Sequence, residues 1–179
     1  MTDHHVFTDN VPGAMTKQKF VEIFGSVYEH SSWIAEAVWE LEPEPQHIAG
    51  RDTAAGLQRA FRHILDQAGQ DAKLTLLRAH PDLVGKLAIN EKLTTESGSE
   101  QVGAGLENCT ENEFATFQDL NRRYKKKFGF PFIIAVRGHD RSEILNIFRQ
   151  RVANDALAEY ETALKQVHRI AFLRLSDIP

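Results

Sequence analysis

From Thr16 onward, apolar side chains recur at the three-and-four spacing of a helix that buries one stripe: Phe20, Ile23, Phe24 and Val27 share a face. A second short helix, begun by Ser31 or Ser32, is expected to bury Trp33, Ile34, Ala37 and Val38. The stretch Glu42-Pro43-Glu44-Pro45 must end it, because proline lacks an N–H and pushes the preceding residue out of helical geometry. Leu57, Phe61, Ile64 and Leu65 predict a helix from about Asp52 to Gln67, and Leu74 and Leu77 predict another that runs into Arg78-Ala79-His80-Pro81. Pro81 should stop that helix and leave the His80 imidazole at its C-terminal end. Thr110-x-x-Glu113 and Asp140-x-x-Glu143 both read as capping boxes, and Gly129 is a natural stop for the helix that Thr110 opens. The longest helix is expected from about Asp155 to Leu175, through Leu157, Tyr160, Leu164, Val167, Ile170 and Ala171.

One stretch breaks the pattern. Phe130-Pro131-Phe132-Ile133-Ile134-Ala135-Val136 is a continuous apolar run with β-branched residues and a proline, and it reads as buried extended chain. With no evident partner strand, its amide and carbonyl groups must find hydrogen bonds elsewhere, and a ligand bound against the backbone is one source. No repeat or linker divides the chain. The expected fold is therefore all-α: a single-domain irregular helical bundle over 15–179 with one short buried extended segment near residues 130–136, preceded by a flexible N-terminal arm, 1–14.

Composition narrows the class. The 179 residues are 42% apolar and 26% charged, enough for a full core. A formal charge of −4 supplies no global attraction for nucleic acid or an anionic membrane. The basic run Arg122-Arg123-Tyr124-Lys125-Lys126-Lys127 sits at a helix end, where it reads as a solvated face complementing the dipole. A single cysteine, Cys109, and the absence of a signal-peptide pattern or a spanning apolar stretch lead us to expect a cytoplasmic protein.

Candidate chemistry gathers at three places. His80 is held by Pro81 and followed by Asp82; it reads either as a helix-end histidine facing the last carbonyls or as an immobilised general acid or base. Ser97-x-x-Glu100 reads as a capping box, and a helix start carrying Ser97, Glu100 and Gln101 is equally an anion site. Arg174, between Leu173 and Leu175, either reaches water, pairs with an acid or offers its planar fork to a carboxylate. His4 and His5 read as a solvated chance pair in the arm, and His30, His47, His63, His139 and His168 show no ligand-like spacing and read as surface or helix-end residues; no nucleotide, zincin, hydrolase or dithiol motif is present.

Four stretches together resemble the 2-oxo-4-hydroxy-4-carboxy-5-ureidoimidazoline (OHCU) decarboxylase family: Arg78-Ala79-His80-Pro81-Asp82-Leu83-Val84-Gly85-Lys86; Leu93 to Ser97 through Glu100-Gln101 to Ala104-Gly105-Leu106; Leu120-Asn121 with Tyr124 and Phe128-Gly129-Phe130-Pro131-Phe132; and Leu173-Arg174-Leu175. The resemblance implies an all-helical, homodimeric, cofactor-free decarboxylase with no metal, which forms (S)-allantoin and carbon dioxide in urate breakdown. It implies catalytic roles for His80, Glu100 and Arg174. Substrate contacts carry over to Pro81, Ser97, Gly98, Ser99 and Gln101, and to the backbone of Phe132, Ile133, Ile134, Ala135 and Val136. The last four residues are not a Ser-Lys-Leu peroxisomal address, so a cytoplasmic enzyme with a small-molecule partner, and neither nucleic acid nor membrane, is expected.

Two rival readings use the same residues. His80-Pro81-Asp82 is also the signature of J-domain co-chaperones, but Leu83 follows where such domains commonly continue with lysine, and Glu100 and Arg174 are left unexplained. The other rival is a helical ureide-binding protein that keeps the pocket without the catalysis.

Overall fold

Thr16 caps the first helix, its hydroxyl accepting from Lys19 N–H. The computed structural model describes residues 5–41, 50–83, 106 and 109–179, and among these the regular structure is helical. The α-helices are α1 (Lys17–Phe24), α2 (Ser32–Glu40), α3 (Ala54–Gln67), α4 (Gln70–Ala79), α5 (Glu111–Phe128), α6 (Arg141–Arg151) and α7 (Ala156–Asp177), with one 3-10 turn at Pro12–Ala14. No strand is present among the described residues; Val6 and Thr53 form an isolated antiparallel bridge. None of the helices is long and apolar enough to cross a membrane among the described residues.

Helix ends follow local spelling. Thr53 caps α3 by accepting from Gly56 N–H at 3.0 Å. Of the three expected capping boxes, that of Ser97 and Glu100 lies outside the described residues and the other two form: Thr110 and Glu113 exchange bonds at the start of α5, and Asp140 and Glu143 do so at α6. Gly129 ends α5 in the left-handed region, φ +77°, returning its N–H to Lys125 O.

The chain forms two compact units, the first of residues 1–76 with 168–179, the second of residues 77–167. In the first unit, Phe7, Phe20, Phe24, Tyr28 and Phe61 make a buried aromatic cluster, with Phe20 and Phe24 centroids 4.9 Å apart and Tyr28 stacked on Phe61 at 5.7 Å. Residues 5–10 lie along this unit: Phe7 N–H donates to Asp52 O at 2.9 Å and Asn10 Nδ2 to Pro179 O at 3.0 Å. In the second unit, Phe117, Tyr124, Phe132 and Phe148 form the centre, with Phe132 and Phe148 stacked at 3.8 Å. The stretch 130–136 is buried throughout and non-helical, as its apolar run predicts.

Two core expectations change. Trp33 is 37% exposed, because the buried stripe of α2 runs through Ile34, Ala35 and Val38 instead. Leu157 is 68% exposed: α7 begins at Ala156, and in this first turn it is Glu159 that is buried. The proline stretch after α2 lies outside the described residues.

Candidate functional site

Helix α4 ends at Ala79, where Pro81 requires it to, and His80 N–H reaches back to Leu77 O at 3.4 Å. The His80 side chain is buried and lines a cavity of about 290 Å³ together with Arg78, Asp82, Lys125 and the Gly129-Phe130-Pro131 turn. Lys125 Nζ lies 3.1 Å from Asp82 Oδ2, and Arg78 Nε donates to Gly129 O at 3.1 Å, so the end of α4 is tied to the cap of α5. Buried Asn121 adds a tie by donating Nδ2 to Leu83 O at 2.8 Å, while among the described residues its Oδ1 has no hydrogen-bond partner. Two permanent cations face one carboxylate on this wall, a local balance that favours an anionic ligand beside the imidazole. An imidazole so placed can pass a proton to or from such a ligand.

The non-helical stretch 130–136 leads away from the same cavity and is held by side chains. Arg151, the last residue of α6, donates Nη1 to Ile133 O at 2.7 Å, and Gln166 Oε1 accepts from Ala135 N–H at 2.9 Å. Arg151 is itself fixed by fully buried Glu159, whose Oε1 accepts from Nε at 2.9 Å and Nη2 at 2.6 Å. Tyr124 OH donates to the same oxygen, and Asn154 Nδ2 to Oε2 at 2.7 Å. Desolvation and the neighbouring carboxylate push the Tyr124 phenol well above its ordinary range, so it stays a neutral donor.

In the first unit, Arg174 on α7 is buried and donates Nη1 to Glu29 Oε2 at 3.0 Å and to Ser26 O at 3.3 Å. The pairing with an acid, one of the three readings of Leu173-Arg174-Leu175, is the one seen at this nitrogen. Glu29 is 2% exposed and belongs to the turn before α2, where His30 adopts φ +48°. Close by in sequence, Tyr28 OH donates to His168 Nδ1 at 2.9 Å, and His168 Nε2 lies 3.2 Å from Asp66 Oδ1. His168 is thus a buried, doubly bonded histidine, contrary to its expected surface or helix-end position. Burial lowers its pKa below the ordinary value, opposed by Asp66.

The structure therefore places His80, Pro81 and Phe132 to Val136 in the second unit and Arg174 in the first. Ser97, Gly98, Ser99, Glu100 and Gln101 lie outside the described residues. Glu29, Arg151, Glu159, Gln166 and His168 were not singled out from sequence. Buried charge has no local spelling, and Glu29 meets its partner 145 residues later. Among the described residues no group of three His, Cys, Asp or Glu side chains is arranged to hold a metal ion.

Known relatives cover most of the chain. It is 38% identical over 162 residues to 2-oxo-4-hydroxy-4-carboxy-5-ureidoimidazoline decarboxylase of Halalkalicoccus jeotgali, covering 90% of this chain and 86% of that one. The protein of the same name from Haloferax volcanii is 34% identical over 97% of this chain and 96% of its own. Among solved structures, that of an (S)-allantoin synthase superposes with a TM-score of 0.70 at 31% identity, covering 90% of this chain, which spans half of that longer one. The sequence pattern of OHCU decarboxylase matches residues 13–176, a span that takes in His80 and its cavity, the buried 130–136 stretch and Arg174, and on that match the chain belongs to the OHCU decarboxylase family.

Proposed function

We propose that this chain is a carboxy-lyase of urate breakdown that converts OHCU to (S)-allantoin and carbon dioxide without a cofactor. The observation that carries this reading is a family match from residue 13 to residue 176 on a chain whose His80 is buried against a cation-lined cavity. A carboxylate is ionised near neutral pH and suits such a wall. The J-domain reading rests on one tripeptide and accounts for none of the remaining match.

Loss of carbon dioxide leaves an electron pair on the carbon that carried the carboxylate. The substrate's own heterocycle delocalises that pair, and the protein's part is to stabilise the developing negative charge and deliver a proton. In the proposed scheme His80, assisted by Glu100, handles the substrate hydroxyl proton and protonates one face of the carbanionic centre, which sets the S configuration. Arg174 holds an anionic or carbonyl oxygen through its guanidinium. Pro81, Ser97, Gly98, Ser99, Gln101 and the backbone of residues 132–136 bind the ring and ureido group. The enzyme is proposed to act as a homodimer in the cytoplasm.

OHCU generated fresh from urate tests this reading. With the purified protein, its decay is expected to run faster than the spontaneous reaction and to give optically active (S)-allantoin. A spontaneous rate with racemic product would overturn it.

A further inference from the structure

The stretch 130–136 has no partner strand among the described residues, so its backbone is satisfied group by group. Arg151 takes the C=O of Ile133 and Gln166 takes the N–H of Ala135. These two groups belong to the two peptide bonds that flank Ile134. No peptide bond in the described chain is cis, and in a planar trans peptide the C=O and N–H point in opposite directions. The Ile134 N–H is therefore turned away from Arg151, and the Ile134 C=O away from Gln166. Neither group makes a hydrogen bond to a described residue. Together they offer one donor and one acceptor, the complement of a ureido group, which carries both.

The clamp is stiff at its charged end. Glu159 takes two nitrogens of the Arg151 guanidinium, whose carbon lies 4.5 Å over the Phe132 ring, itself stacked on Phe148. The guanidinium cannot turn without losing its bonds to Glu159 or its seat on the ring.

We propose that Arg151 and Gln166 are positioning residues: they set the two peptide planes beside Ile134 and so control substrate affinity without touching substrate. This rests on the proposed function, in which the backbone of residues 132–136 reads OHCU. A positioning role in binding predicts a change in KM more than in kcat.

Steady-state kinetics of Gln166→Leu, Gln166→Glu and Arg151→Lys test it, beside the wild-type enzyme and with OHCU as substrate. Gln166→Leu and Arg151→Lys are expected to raise KM about tenfold or more with kcat within about threefold. Gln166→Glu keeps an oxygen acceptor for Ala135 N–H and is expected to hold KM within about twofold of wild type. If Arg151→Lys fails to fold, the two Gln166 variants carry the test. Folded Gln166→Leu with unchanged KM, or a Gln166→Glu variant as impaired as Gln166→Leu, overturns the positioning role while the wild-type turnover stands. A wild-type enzyme that leaves OHCU at its spontaneous rate overturns the proposed function, and the positioning role with it.

Discussion

Glu29 Oε2 accepts a hydrogen bond from Arg174 Nη1 at 3.0 Å, and both side chains are buried. Removing one partner of a buried pair leaves the other charge short of compensation. Glu29→Ala is expected to destabilise the fold by about 3–5 kcal/mol, read by denaturant unfolding. Glu29→Gln keeps an acceptor and should cost less stability, yet it shifts the guanidinium that the proposed mechanism uses, so kcat/KM is expected to fall by about 100-fold.

His80→Asn replaces the imidazole by a side chain that cannot exchange a proton near neutral pH. Turnover of OHCU is expected to drop by about 10²–10⁴-fold while circular dichroism remains helical. Activity close to wild type would remove His80 from the proton transfer.

The His168 site predicts a pH dependence of stability. Its pKa in the folded protein lies below the ordinary value of 6.5, chiefly through burial, so the unfolded chain takes up the proton first. The contribution of this site is complete above 6.5 and is lost as pH falls from there through the lowered folded value. Tyr28, Asp66, Arg62 and Lys73 are the groups that act on it. Unfolding midpoints measured from about pH 7 to about pH 5 should fall less steeply for His168→Gln than for the wild type. Tyr28→Phe removes the donor to Nδ1 and is expected to cost about 1–3 kcal/mol at neutral pH.

Gly129 sits at φ +77°, and among the described residues a Cβ built there would meet only Arg78 Nη2, at 3.9 Å. Space is therefore not the obstacle, and the cost of a side chain is conformational. Gly129→Ala is expected to lose about 1–2 kcal/mol, with Gly129→Asn losing less, seen as a lower denaturant midpoint at unchanged slope.

Helix ends were readable because their chemistry is local. Thr110 and Glu113, or Asp140 and Glu143, satisfy each other within one turn, and Pro81 ends α4 whatever surrounds it. The 130–136 stretch was readable for the same reason: a run of apolar residues with no polar face has nowhere to go but the interior. Burial of single polar groups was not. Nothing local marks Glu159, in the first turn of α7, as buried; Tyr124, Arg151 and Asn154 from elsewhere in the unit make it a buried hub. His168 likewise depends on Tyr28 and Asp66, more than 100 residues away. The resemblance supplied Arg174 but not Glu29, because a family motif points to the residue it implies in the chemistry and not to the one that holds it.

A binding surface made of peptide groups separates two pressures that usually act on the same atoms. Val, Leu or Ile at position 134 would all carry the same N–H and C=O, so the residue type there answers only to how well it fills the interior behind it. In the proposed scheme, substrate affinity then rests on Arg151 and Gln166, which bond to the peptide groups on either side of Ile134. On that proposal, changing what this segment recognises would take a change of helix side chain rather than of the segment itself.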